Sequence, residues 1–173
     1  VANNGSVDLA LHAQRNTVFP ELPRFGLRLF LPQEMSQVNY YGMGPMECYR
    51  DKHHAASHSS YTATVWQLHE DYIRPQENGS HFDCDYVMLS GDAVRLTAVG
   101  TQPFSFNASH YTQEELTRKA HNYELEPCGS TVLCLDYAQN GIGSESCGPR
   151  LLEQYRLDDA TFNFGLRLFP EKK

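Results

Sequence analysis

The sequence predicts an all-β protein built as an antiparallel sandwich, on three observations. Apolar residues alternate at period two in several segments, turn signals are dense, and a single short segment reads as helix. The first strand is predicted where Val7, Leu9, Leu11 and Ala13 alternate with polar neighbours, and the second where Phe25, Leu27, Leu29 and Leu31 do the same. A third is predicted at Val38-Asn39-Tyr40-Tyr41, where β-branched and aromatic residues cluster. From Lys52 to His69 no period holds, so a long loop is expected, with one short strand near Thr64-Val65-Trp66. Strands resume at Tyr86-Val87-Met88, Val94 to Val99 and Thr131 to Tyr137, and the last follows Phe162, Phe164, Leu166 and Leu168. Gly91-Asp92, Asn140-Gly141 and Asn78-Gly79 supply turns between them. With strands recurring and no helical pattern between them, nine or ten antiparallel strands are expected.

The predicted helix spans roughly Gln113 to Ala120. Thr112 is placed to cap the Glu115 amide, the Glu115 carboxylate is expected to reach back, and Glu114, Leu116, Arg118 and Lys119 are good helix formers. The hexapeptide Phe-Gly-Leu-Arg-Leu-Phe occurs at Phe25 to Phe30 and again at Phe164 to Phe169. Its flanks do not match, so it predicts two strands with the same environment, leucines inward and Arg28 and Arg167 outward, rather than a duplicated unit.

At 173 residues with 40% hydrophobic content, the chain is expected to form one domain, 1–173, with its own core. Its net charge of -7, with no block of Lys and Arg, argues against nucleic acid or an anionic membrane surface as a partner. No apolar run reaches the roughly 20 residues that cross a bilayer. Val1 to Ser6 is neither basic nor apolar, so no targeting signal is expected, and the missing initiator Met fits an excised or processed piece. Five cysteines, Cys48, Cys84, Cys128, Cys134 and Cys147, are odd in number and widely spaced, which predicts reduced, mostly buried thiols rather than disulfides or a zinc ribbon. Sequons at Asn4, Asn78 and Asn107 would matter only in a eukaryotic secretory pathway.

The residues offer no self-sufficient catalytic set. Glu47 and Glu77 lie among turn residues, where a carboxylate usually accepts backbone amide bonds. Gly141-x-Gly143 lacks the rest of a dinucleotide fingerprint, because Pro149 stands where a helix should run. Ser144-x-Ser146-x-Gly148 lacks the first glycine of a hydrolase elbow, and nothing in sequence brings a histidine to Cys147. His53, His54 and His58 would chelate a metal only on a helix, and no further ligand completes the set. Tyr40, Tyr41, Trp66 and Tyr72 offer aromatic faces for a sugar, with core packing the more common use of such rings.

Three islands occur in fixed order, Tyr41-Gly42-Met43-Gly44-Pro45-Met46-Glu47-Cys48-Tyr49-Arg50-Asp51, Arg74-Pro75-Gln76-Glu77-Asn78-Gly79 and Gly141-Ile142-Gly143-Ser144-Glu145-Ser146-Cys147-Gly148-Pro149. With Pro23-Arg24-Phe25-Gly26-Leu27 ahead of them, they resemble the C-terminal domain of bacterial beta-galactosidases of glycoside hydrolase family 2. The resemblance runs from about Val7 through Phe169 and implies an incomplete portion of a large antiparallel super-sandwich of galactose mutarotase-like fold. It also implies a non-catalytic part of a larger hydrolase. The family's retaining cleavage of terminal beta-D-galactose uses two barrel carboxylates, one in an Asn-Glu dipeptide, and no Asn here precedes Glu.

Other expectations rest on the resemblance alone. A loop near the end of the family's domain reaches over the active site, which makes Asn140, Gly141, Ser146 and Cys147 the expected substrate-binding residues. Cys147 stands where some members carry a Trp platform, so little stacking area is expected. Asp51-Lys52 replaces the family's Asp-Arg, which predicts a weaker ion pair there. The partners implied are the remaining domains of the parent enzyme and a galactoside such as lactose, in a homo-oligomer. Mg2+ and Na+ would sit in the parent's barrel, with no cofactor in this chain, and a bacterial cytoplasm or periplasm is equally compatible. The alternative is an independent carbohydrate-binding or mutarotase-like module with His81 and Glu77 as acid and base; a third possibility is a scaffold for subunit contact.

Overall fold

A computed structural model describes residues 1–142 and 149–173. Its strands are β1 (Val7–Gln14), β2 (Arg24–Pro32), β3 (Gln37–Gly44), β4 (Ser57–Thr64), β5 (Ser80–Ser90), β6 (Val94–Ser109), β7 (Ser130–Gln139) and β8 (Thr161–Lys172). The helix α1 (Gln113–Arg118) lies between β6 and β7. All pairings are antiparallel, which bears out the all-β sandwich reading. Eight strands stand where nine or ten were expected among the described residues, because β5 and β6 run much longer than their apolar runs.

The sheet branches at β6. The first half of this strand, Val94 to Gly100, pairs with β8, which in turn pairs with β1. Its second half, Ser105 to Ser109, pairs with β7, and β7 pairs with β2. On its other edge β6 follows β5, and β3 and β4 continue the sheet from there. The two arms face each other: Phe25 of β2 stacks on Phe162 of β8 with ring centroids 4.5 Å apart, and Tyr137 of β7 meets Phe162 and Phe164 edge-on. The repeated hexapeptide thus lies on opposing strands with different partners, β2 beside β7 and β8 between β1 and β6. Its leucines point toward the core, while Arg28 pairs with Glu114 and Arg167 with Asp8 on the outside.

Two local expectations are corrected. Ser57 to Thr64 is strand, not loop: β4 pairs with β3 through its whole length, but it is an outer strand whose residues are mostly exposed, so burial imposes no alternation on its sequence. In α1 the Thr112 side chain caps the Glu115 amide as predicted, but the Glu115 carboxylate turns to Arg118, Lys119 and the Glu126 amide. Two cations within one turn and an incoming backbone N–H compete successfully for its oxygens. The helix ends at Arg118, with Lys119 already extended.

Candidate functional site

The first two sequence islands and the start of the third, Gly141-Ile142, meet at one corner of the sandwich, tied by hydrogen bonds across long stretches of chain. Glu47 of the first island, 6% exposed, accepts the Gly79 amide of the second at 2.8 Å. It also accepts Lys52 Nζ at 2.5 Å and the Tyr72 hydroxyl. Gly79 has φ +70 and packs against the Leu68 carbonyl, so a side chain there would be both strained and obstructed. Burial opposes ionisation of Glu47, but the Lys52 ammonium, the Tyr72 hydroxyl and the Gly79 amide bring its carboxyl net below the usual range. Lys52 therefore supplies a close ion pair despite lacking the planar fork of Arg.

The first island also holds the third. Asp51 Oδ1 accepts the Ile142 amide at 3.3 Å. Gly141 lies so close that an added Cβ would stand 2.5 Å from Leu151 Cδ1 and 2.6 Å from Asp51 Cγ. Asn140 is fixed on both sides, its amide donating to Pro23 O and its Oδ1 accepting the Leu157 amide at 2.9 Å. Of the residues expected to bind substrate, Asn140 and Gly141 form the base of the loop; Ser146 and Cys147 lie outside the described residues.

Behind this base sits a charged cluster. Arg24 grips Asp136 with two nitrogens, Nε to Oδ1 at 3.2 Å and Nη2 to Oδ2 at 2.5 Å, and reaches Glu77 Oε2 at 3.1 Å with Nη1. Gln139 donates to the same Asp136 oxygen at 3.2 Å. Burial pushes the Glu77 carboxyl up; Arg24 offsets part of this and Asp136 adds repulsion. Its second oxygen, Oε1, is buried without a hydrogen-bond partner of normal geometry. The Tyr49 hydroxyl is likewise buried and unpartnered, and its pKa is raised by burial and by the Glu77 and Glu47 carboxylates. Arg24 and Asp136 were missed as site residues because 112 positions separate them; a lone Arg beside a turn carries no local signal.

The remaining candidates separate. His81 is in the aromatic core, 0% exposed, with Nδ1 near the Tyr40 hydroxyl and its ring stacked on Phe106; burial lowers it to about 4. It is not accessible as an acid or base. Tyr40 is buried, Tyr72 is bound to Glu47, and Trp66 and Tyr41 retain exposed faces, with Trp66 resting on His110. His53 and His54 lie ring to ring, while His58 is on β4 against the Asp83 carbonyl and Tyr41. Among the described residues no three His, Cys, Asp or Glu side chains are grouped to hold a metal ion. Cys48, Cys84 and Cys134 are buried free thiols and Cys128 is an exposed one; burial pushes Cys134 up to about 12.

Comparison with known proteins agrees with this architecture. The family described as beta galactosidase small chain matches residues 1–168. Among curated relatives, a beta-galactosidase of Actinobacillus pleuropneumoniae is 47% identical over 99% of this chain, and one of Staphylococcus xylosus is 42% identical over 97%. A more distant beta-galactosidase, from Kluyveromyces lactis, is 32% identical over 84% of the chain. The chain spans 17% of the length of the first two relatives. By the extent of these matches, the chain belongs to the beta-galactosidase small-chain family.

Proposed function

We propose that the chain is a non-catalytic terminal domain of a beta-galactosidase and that it supplies, through Asn140 to Pro149, part of the wall around the galactoside. The parent hydrolyses terminal non-reducing beta-D-galactose with groups outside this chain; here the task is to hold a loop in place and support assembly. The observation that carries this reading is the tie of Asp51 to Ile142, four residues after the Glu47 carboxylate that accepts the Gly79 amide. Side chains from a different part of the sandwich fix the loop base, and a fixed base is what a substrate-positioning wall requires of its foot. Asn140, Gly141, Ser146 and Cys147 are the residues assigned to that wall.

The test is kinetic and uses the full-length enzyme. Asp51→Ala, which frees the Ile142 amide, and Cys147→Ala, at the proposed tip, should each change KM or the ratio of transglycosylation to hydrolysis by about threefold or more, in a way that depends on the aglycone, with little change in the rate of galactosyl transfer to the enzyme. Identical kinetics for both variants across several aglycones would remove the loop from the substrate wall.

A further inference from the structure

Among the described residues β1, β2 and β4 have a strand neighbour on one side only. Such an edge offers unpaired backbone N–H and C=O groups to any other strand, and natural proteins guard it with charge, Pro or a bulge. β2 has all three, in Arg24 and Arg28, in Pro32 and in the register shift between Phe25 and Gly26. β1 carries Asp8, paired with Arg167. β4 has none of these devices. Its register against β3 is unbroken from Ser57 to Thr64, and no Asp, Glu, Lys or Arg occurs between Lys52 and Glu70. His58 leans back against Tyr41 and the Asp83 carbonyl, so its ring does not cover the edge.

The backbone of this strand sets what can pair with it. Thr64 turns both its polar groups away from β3: its N–H donates to Gln67 Oε1 at 2.8 Å and its C=O accepts the Gln67 amide at 2.9 Å. Val65, of the opposite parity, donates toward β3, to the Ser36 carbonyl. Backbone groups alternate between the two edges of an antiparallel strand, so the N–H and C=O of His58, Ser60 and Thr62 face the free edge while Tyr61 and Ala63 bond to β3. We propose that β4 pairs antiparallel with β4 of a second copy of this chain, about a two-fold axis at Ser60. This register sets Ser60 against its own copy and His58 against Thr62 of the partner subunit, each pair exchanging both backbone bonds. It uses the three free residues and no group already taken, whereas a register centred on Tyr61 would set His58 against the occupied Thr64. The facing side chains are hydroxyls and an imidazole, groups that hydrogen-bond across strands. Charge points to the same occupant. Two copies at a net charge of -7 repel, and β4 lets them meet without setting like charges opposite one another. β4 contributes no residue to the base of the loop, so this contact is separate from the wall assigned to Asn140 to Pro149.

The experiment follows sedimentation equilibrium and amide hydrogen exchange of the 173-residue chain over a range of concentrations, since exchange reports folding and edge protection together. Mass should double as the concentration rises toward about 1 mM, and the His58, Ser60 and Thr62 amides should become slow to exchange over the same range. The Tyr61 and Ala63 amides, bonded to β3, should be slow throughout and mark the folded state. Ser60→Lys, at an exposed position, sets two ammonium groups face to face and should weaken association by about tenfold or more, while Ser60→Thr should keep it. In the full-length enzyme, Ser60→Cys under mild oxidation should give a disulfide joining position 60 of two subunits. The Cα atoms of a hydrogen-bonded pair stand about 5.5 Å apart, inside the range that a disulfide spans. A chain that stays monomeric to about 1 mM, or the absence of that cross-link, would overturn the pairing. Edge amides protected without a doubling of mass would overturn it in favour of another strand of the same polypeptide, and a dimer indifferent to Ser60→Lys in favour of a different face. None of these readouts enters the kinetics of Asp51→Ala, so the two proposals fail separately.

Discussion

Along β1 and β2 only alternate residues turn inward, and those remain partly exposed, whereas residues 104–109 of β6 and 131–136 of β7 are buried on both faces. The difference lies in what covers the outer face. At the corner, Leu116 and Glu115 of α1 are buried, Gln113 reaches Cys134, and Asn107 bonds the Asn78 carbonyl, so a second layer covers the β6–β7 pair. On the arm the outer side chains meet solvent and engage in surface pairs such as Arg167 with Asp8 and Arg95 with Glu171. Two-sided burial lets polar groups act as internal ties, because each is desolvated and strongly coupled to its partner. The comparison therefore separates a half-wet sheet that obeys simple alternation from a dry corner whose polar groups specify where loops go.

The largest expected effect sharpens this contrast through packing. Phe106→Ala, at a fully buried ring between Tyr40 and His81, should cost about 3–5 kcal/mol in a denaturant titration. Leu9→Ala on the arm should cost about 1 kcal/mol, since its side chain is only half buried. Equal losses would show that the arm is as tightly packed as the corner and break the distinction.

Charge gives the next test. Arg24→Leu leaves the buried Asp136 and the half-buried Glu77 without their counterion and should cost about 3 kcal/mol, seen as a lower melting temperature. The arm's counterpart, Arg167→Leu, should leave the melting temperature unmoved, because both partners there are screened by water. A large loss from Arg167→Leu would mean the surface ladder is a structural tie after all.

The smallest effect is in pH. Glu47 has its folded carboxyl net lowered, so its stabilisation is present above the unfolded value of about 4.3 and fades as pH falls through the folded value. Glu77 is raised, so its contribution has the opposite sign: it is intact below the unfolded value and is lost as pH rises through the folded one. Thermal melts of Glu47→Gln against the wild type should differ by about 1–2 kcal/mol at neutral pH and converge in acid. For Glu77→Gln the variant should gain on the wild type as pH rises. Parallel curves for both would show that neither carboxylate titrates differently in the fold.

The arm was largely legible in the sequence, since burial on one face writes itself as period two in β1, β2 and β8. β4 was not legible, because with little burial Ser57 to Thr64 keeps only Tyr61 and Ala63 as an apolar face, too short a pattern to read as a strand. β6 was read short because Gly100 and Pro103 look like punctuation, yet the strand passes through both as it changes partner from β8 to β7. At the corner, the islands could be recognised as motifs, but their ties could not. Glu47 to Gly79, Asp51 to Ile142 and Arg24 to Asp136 connect positions far apart in the chain, and only the topology brings them together.

The sixteen residues of β6 belong to both arms at once. No cut between the arms leaves two intact pieces: a break before β6 strips the β8 side of its neighbour, and a break after it strips β7. A single strand thus couples the two ladders, so a distortion in the middle of β6 would be felt by β8 and β7 alike.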